Sequence, residues 1–270
     1  QRIHVVLEVP EIKDEGHITL ALKGNVSMHH VSRKYGEKAI LKDISFSVCE
    51  GNSLAVIGPT AAGKTQLLYL LTGLTTADEG TVEFDDKAIQ LFNKENFYKH
   101  VGFVFQDSIL FNMSIRENIG FSNLVTDEQL QKAVDTAELS GFIDSLPQKL
   151  DTIVSERGSS LSGGQKQRIM LARALAINPK ILILDDFTAR VDAPTEVKIL
   201  KNVQQNYPGI TLISVTQKIT SVEHFDQVLL LMEGEMLAKG THDELMSSSP
   251  EYVQIYNSQQ STSNYELQPK

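Results

Sequence analysis

Residues Leu54 to Leu71 read LAVIGPTAAGKTQLLYLL. An apolar run, Leu54 to Ile57, breaks into a loop, and the loop opens into a leucine-rich helix. Gly58, Gly63, Lys64 and Thr65 satisfy the phosphate-loop pattern G-x-x-x-x-G-K-[ST]. The glycines let the backbone wrap a phosphate chain, so that its N–H groups and the helix N-terminus face the anion. Pro59, Thr60, Ala61, Ala62 and Gln66 complete the wall of that loop. Lys64 has the reach for the outer phosphates, and the Thr65 hydroxyl is a Mg²⁺ ligand. A glycine-containing turn with a chance Lys-Thr is the competing reading. The strand before the loop and the helix after it are the context that nucleotide binding requires.

The remaining composition narrows the class. A chain of 270 residues holds one large α/β domain or two small ones. Its formal net charge of −9 argues against nucleic acid as a main partner, because that binding needs a basic face. A lone cysteine, Cys49, excludes an intrachain disulfide and suits a reducing compartment. No apolar run approaches the roughly 20 residues that cross a bilayer.

Residues 1–23 open with QRIHVVLEVPEIKD and are expected to be a linker, helical until Pro10. From residue 24 the pattern turns β-like, with Val26, Met28 and His30, then Ile44, Phe46 and Val48, alternating with polar neighbours. Tyr35 lies in the turn-like RKYGEKAI between these strands; such an aromatic either stacks on a base, for about 1–3 kcal/mol, or sits packed or exposed. TVEFDD reads as a short strand, and Val101 to Phe105 as an apolar strand delivering Gln106 to a loop. Residues 112–157 carry helical periodicity, with Ala133, Val134, Ala137, Leu139, Phe142 and Ile143 on a core face. In LSGGQKQRIMLARAL, Ser162-Gly163-Gly164 opens a helix whose N–H groups invite an anion, although such a start is also an ordinary cap.

KILILDD, Lys180 to Asp186, is a buried-strand pattern ending in paired carboxylates, the first of which, Asp185, is placed to hold Mg²⁺ through water. Residues 210–217 (ITLISVTQ) and 227–232 (QVLLLM) are further buried strands. Strands alternating with helices predict a parallel sheet covered on both faces. Residues 258–270, SQQSTSNYELQPK, are polar and aperiodic, which predicts a flexible tail.

The phosphate loop, Gln106, LSGGQ and Asp185, in that order, resemble an ATP-binding cassette nucleotide-binding domain over residues 24–257. FNMSIRENI, SERG and GTHDEL, with the opening RIHVVLEVP, are similar to the exporter branch of that family. The resemblance implies a phosphate-loop NTPase (RecA-like) core with a mostly parallel sheet and an antiparallel β subdomain. A helical subdomain, residues 107–172, would carry LSGGQ. It also implies an ATPase motor at the cytoplasmic face of a membrane, working with ATP and Mg²⁺ and attached to a transmembrane domain. In such motors a second nucleotide-binding domain closes over ATP head to tail. Ser162, Gly163, Gly164 and Gln165 would then contact the nucleotide held by the opposing chain. By the same resemblance Tyr35 stacks on adenine, and Gln106 contacts Mg²⁺ and water. Asp192 crosses the dimer interface, and Glu156 and Arg157 touch the membrane domain.

The departures from the family pattern are informative. Asp186 stands where Glu usually polarises the attacking water, and Gln217 where His usually holds the γ-phosphate. A carboxylate withdrawn by about an ångström can cost on the order of 10²-fold in rate, and an amide carries no proton. Ala61 and Gln66 replace the usual Gly and Thr, and Arg190-Val191 replaces Ala-Leu before Asp192. These changes predict a site that binds ATP and hydrolyses it poorly, paired with a competent site on a non-identical subunit. A slow homodimeric exporter, a soluble or importer ATPase and a purely regulatory module are the alternatives. His224, in SVEHFD, reads as a surface residue rather than a replacement for the missing His.

Overall fold

The computed structural model describes residues 16–107, 109–121, 125–154 and 161–266. The first sheet is antiparallel, in the order β2-β1-β4-β5, from β1 (Val26–Tyr35), β2 (Lys38–Val48), β4 (Glu79–Phe84) and β5 (Lys87–Ala88). The second runs β10-β9-β3-β8-β7-β6, from β3 (Ser53–Ile57), β6 (Val101–Val104), β7 (Ile181–Asp185), β8 (Thr211–Thr216), β9 (Gln227–Met232) and β10 (Glu235–Gly240). Every pairing in it is parallel except that of the edge strand β10 with β9. The α/β class expected from the sequence is the one found.

The apolar runs become central strands because both faces of the parallel sheet are covered. Alternate residues enter different cores: Leu54 and Val56 join one hydrophobic cluster, Ala55 and Ile57 the other. The first cluster also takes Val26, Met28, Val31, Ile44 and Phe46 of the antiparallel sheet. It takes Leu67, Leu68, Leu70 and Leu71 of α1 (Lys64–Leu71) and Phe97 of α2 (Lys94–Tyr98) as well. An isolated helix this short is not stable in water. Burial of those leucines, at about 1.5–3 kcal/mol each, holds it. The second cluster lies under α4 (Asp127–Thr136), α6 (Gly163–Ala176) and α7 (Ala193–Asn206).

Between β6 and α6 the chain forms α3 (Ile115–Ile119), α4 and α5 (Ser140–Asp144), the helical subdomain expected here. Ala133, Val134, Ala137, Leu139 and Ile143 are buried, and Phe142 packs against them half-buried. Arg173, on α6, ties this region down. It donates to the carbonyls of Asn118 (2.6 Å) and Ile109 (3.2 Å) and lies beside the rings of Phe111 and Phe121. Burial pulls its guanidinium down to about 10.

Some expectations need correction. His30 is exposed, not on the inward face; a register shift between Met28 and Val31 ends the alternation there, and Val31 resumes it buried. The domain begins before residue 24. His17 and Ile18 donate to the Leu91 carbonyl, both at 2.9 Å, and Leu22 is buried. Residues 258–266 are not a loose tail. After α8 (His242–Ser248), α9 spans Pro250–Glu266, docked through buried Tyr252 and through Ile255 and Tyr256. Its polar sequence hid the apolar contacts, which lie on one face near its start.

Candidate functional site

The register of the parallel strands assembles the site. Val104, Leu184, Ser214 and Ala55 lie in one row across β6, β7, β8 and β3. Just past that row, at the carboxyl ends of the strands, come Gln106, Asp185, Asp186, Gln217 and Gly58. Open α/β sheets bind ligands at that edge.

Gly58 has no room for a side chain: a Cβ there would stand 2.1 Å from the Leu231 carbonyl oxygen. Gly63, at φ 106, would place a Cβ 2.9 Å from the Ile40 carbonyl oxygen. Close approach of the chain's own backbone therefore leaves room only for glycine at both positions of the phosphate-loop pattern. Helix α1 starts at Gly63 without a side-chain cap and without an acidic residue in its first turn. Lys64 there is a cation at the positive end of a helix dipole, an arrangement an anion relieves. Its Nζ donates to the carbonyls of Gly58 (2.7 Å) and Pro59 (2.8 Å), inside the loop. Burial lowers the Lys64 pKa against the opposing pull of Asp186 and Asp185.

Asp185 is buried, and its pKa is raised from 3.8 to about 6, by burial first and then by Asp186 and Asp107, against Lys64. A carboxylate held at such a cost suits a Mg²⁺ site. Thr65 and Gln106, its expected companions, are exposed toward solvent. Asp186 donates its N–H to the Val215 carbonyl at 2.7 Å and adopts φ 43, a left-handed backbone that Asp tolerates better than most residues. Ala61, at φ 65, adopts the same conformation where a glycine would carry no Cβ penalty.

Tyr35 ends β1 at the hairpin tip and is 81% exposed. It lines an open groove of about 750 Å³ together with Ala61, Gly63, Lys64, Thr65 and Gln66. The sequence reading missed the other side of the groove, formed by Lys38, Ile40, Lys42, Glu233 and Gly234. Gly234 braces the phosphate loop, its N–H donating to the Ala62 carbonyl at 3.0 Å. The Glu-Gly dipeptide after the QVLLLM strand was the available hairpin signal.

The LSGGQ end of α6 stands apart from this groove's walls. Ser162 is exposed; Gly163, Gly164 and Gln165 are half-buried. Ser162 and Gln165 cap each other: the Ser162 Oγ accepts from Gln165 N (3.2 Å), and Gln165 Oε1 accepts from Ser162 N (2.8 Å). A Cβ on Gly164 would meet the Arg190 carbonyl oxygen at 2.8 Å, so the glycines admit the segment before Asp192. Asp192 caps α7, accepting from Thr195 N at 3.0 Å, which holds its pKa low. Further along α6, buried Gln167 donates to the Gln106 carbonyl at 2.9 Å, a link the sequence did not signal. His224 is exposed, as expected of a surface residue. Glu156 and Arg157 lie outside the described residues.

Residues 41–189 match the family model described as ABC transporter. An uncharacterized ABC transporter ATP-binding protein of Bacillus subtilis, YfiB, is 41% identical over 263 residues, covering 96% of this chain and 45% of that protein. A probable multidrug resistance ABC transporter ATP-binding/permease protein of the same organism, YheI, is 38% identical over 240 residues, covering 88% of this chain and 41% of that protein. Among solved structures, a bacterial Atm1-family ABC exporter with ATP bound superimposes with a TM-score of 0.89 at 31% identity, covering 95% of this chain and 46% of that one. The chain thus spans just under half the length of these relatives.

Proposed function

The chain belongs to the ABC transporter family, as its ATP-binding domain, and we propose that it is the ATP-binding half of an exporter subunit whose own ATP site is degenerate. ATP binds in the groove with adenine on Tyr35 and its phosphates in the loop from Gly58 to Gln66. Lys64 exchanges its carbonyl partners, Gly58 and Pro59, for the outer phosphates. Thr65, Gln106 and Asp185 would hold Mg²⁺, which would supply charge neutralisation for the phosphates.

Asp186 and Gln217 occupy the positions that orient and activate water. Both are present at the sheet edge, but one is a carboxylate on a short stem and the other an amide that takes up no proton. The site therefore grips ATP more readily than it cleaves it. The capped helix tip at Ser162 has a different role. Its hydroxyl accepts from Gln165 and keeps its own hydrogen to donate, and with the Gly164 N–H it faces a nucleotide on a second, non-identical domain. The same reading includes export across a membrane, an attached transmembrane domain and placement at the cytoplasmic face; similarity to exporter proteins supports it. The register that gathers Gly58, Asp185, Asp186, Gln106 and Gln217 carries this reading.

The test is gain of function. The paired substitution Asp186→Glu and Gln217→His is expected to raise steady-state ATP turnover at this chain's own site by about 10²-fold, assayed with a partner domain whose own phosphate-loop lysine has been replaced by alanine. Unchanged turnover, with ATP still bound, would mean that these positions do not limit the site.

A further inference from the structure

We propose that Gln259, on α9, is a positioning residue for Gln217, fixing the loop from which Gln217 reaches the terminal phosphate. The inference rests on the proposed function, with Gln217 standing where the family's His holds the γ-phosphate, and it adds a residue far outside the stretch that matches the family model, residues 41–189.

Strand β8 ends at Thr216, opposite Ile57 and hence beside the start of the phosphate loop. Gln217 follows it, exposed, on backbone that has left the sheet. Two hydrogen bonds hold that backbone from outside. Gln259 Nε2 donates to the Gln217 carbonyl at 2.7 Å, and Gln259 Oε1 accepts from the Ile219 N–H at 2.9 Å. A single planar amide therefore grips the chain on either side of Lys218, much as a neighbouring strand would. The peptide plane after Gln217 sets where the Gln217 side chain can point, so the clamp controls its aim at the nucleotide.

The clamp is itself anchored. Tyr252, fully buried, binds His242 Nδ1 through its hydroxyl at 2.8 Å. Ile255 and Tyr256 pack on the core, and the spacing from Tyr252 through Ile255 to Gln259 keeps these residues on one helix face. The start of α9 is thus fixed to the domain while Gln259, further along, holds the loop. Any shift of α9 relative to the sheet is passed to Gln217 through these two bonds.

The experiment titrates the 270-residue chain, which encloses both hydrophobic clusters itself, with the non-hydrolysable ATP analogue AMP-PNP and with ADP, each with Mg²⁺. Gln259→Ala is expected to weaken AMP-PNP about three- to tenfold, as loss of one or two hydrogen bonds does, and to change ADP less than twofold. Gln259→Glu keeps the acceptor for Ile219 but repels the Gln217 carbonyl, so it should lose the same selectivity with a higher melting temperature than Gln259→Ala. Adding Gln259→Ala to Gln217→Ala should weaken AMP-PNP no further. Equal loss for both nucleotides, no loss, or additive losses would each overturn the positioning role. A selective effect of Gln217→Ala without one from Gln259→Ala would do so while leaving the proposed function standing. Failure of the unmodified chain to bind either nucleotide would remove both.

Discussion

The two helix N-termini proposed to meet phosphate in this molecule are built differently. Helix α1 begins at Gly63 with no side-chain cap and places Lys64 against its own dipole. Helix α6 begins at Ser162 with a closed capping box. The first end is left incomplete in the way a binding site must be, since a ligand supplies what the sequence withholds. The second is complete without any ligand, which suits the contact proposed for it with a nucleotide held on a second domain. Backbone strain sorts the same way: the left-handed residues Ala61 and Asp186 belong to the phosphate-loop site, and none falls on Ser162 to Gln165.

The contrast can be broken most sharply at Lys64. Lys64→Ala removes the charge-assisted contacts to the outer phosphates and should weaken Mg²⁺–ATP binding about 10³-fold in a titration. Near-normal affinity would show that α1 is not the nucleotide's anchor.

Asp185 sharpens the cost of leaving a site incomplete. Its raised pKa means the folded state binds a proton more tightly than the unfolded chain. Stability from this group is therefore present below pH 3.8 and lost as pH rises through about 6. Asp185→Asn should accordingly stabilise the nucleotide-free domain by at most about 3 kcal/mol above pH 6, with no gain near pH 4. Thermal melts at both pH values check this; an equal gain at both would place the strain elsewhere.

The smallest expected effect lies at α6. Ser162→Ala should cost about 1 kcal/mol of stability through the lost cap. It should leave ATP affinity of this chain unchanged while lowering turnover at the partner's site. A fall in this chain's own affinity, measured by titration, would put Ser162 in the wrong site.

How legible this was depended on whether position was set locally. The strands ending at Ile57, Asp185 and Thr216 announce themselves because full burial makes them apolar throughout. The phosphate loop is legible because close backbone approach admits only glycine at Gly58. Edge strand β10 is hard to see in the sequence: its residues alternate between exposed and half-buried, and EMLAKG offers only the three apolar residues Met236, Leu237 and Ala238. Helix α9 was misread because beyond Tyr256 it is held by polar bonds from Gln259 to a loop far away in sequence. Gln167 was invisible for the same reason, since its partner is a carbonyl that any residue could supply. Ser162 and Gly164 stand out in the sequence, and Ser162 caps α6, yet whether they also meet a nucleotide depends on a second chain.

The most direct test is steady-state ATP hydrolysis by the unmodified 270-residue chain alone, beside a titration that shows ATP bound. The account predicts saturable Mg²⁺–ATP binding with turnover indistinguishable from that of the Lys64→Ala variant. Robust hydrolysis that Lys64→Ala abolishes would contradict it, because Asp186 and Gln217 would then suffice for catalysis.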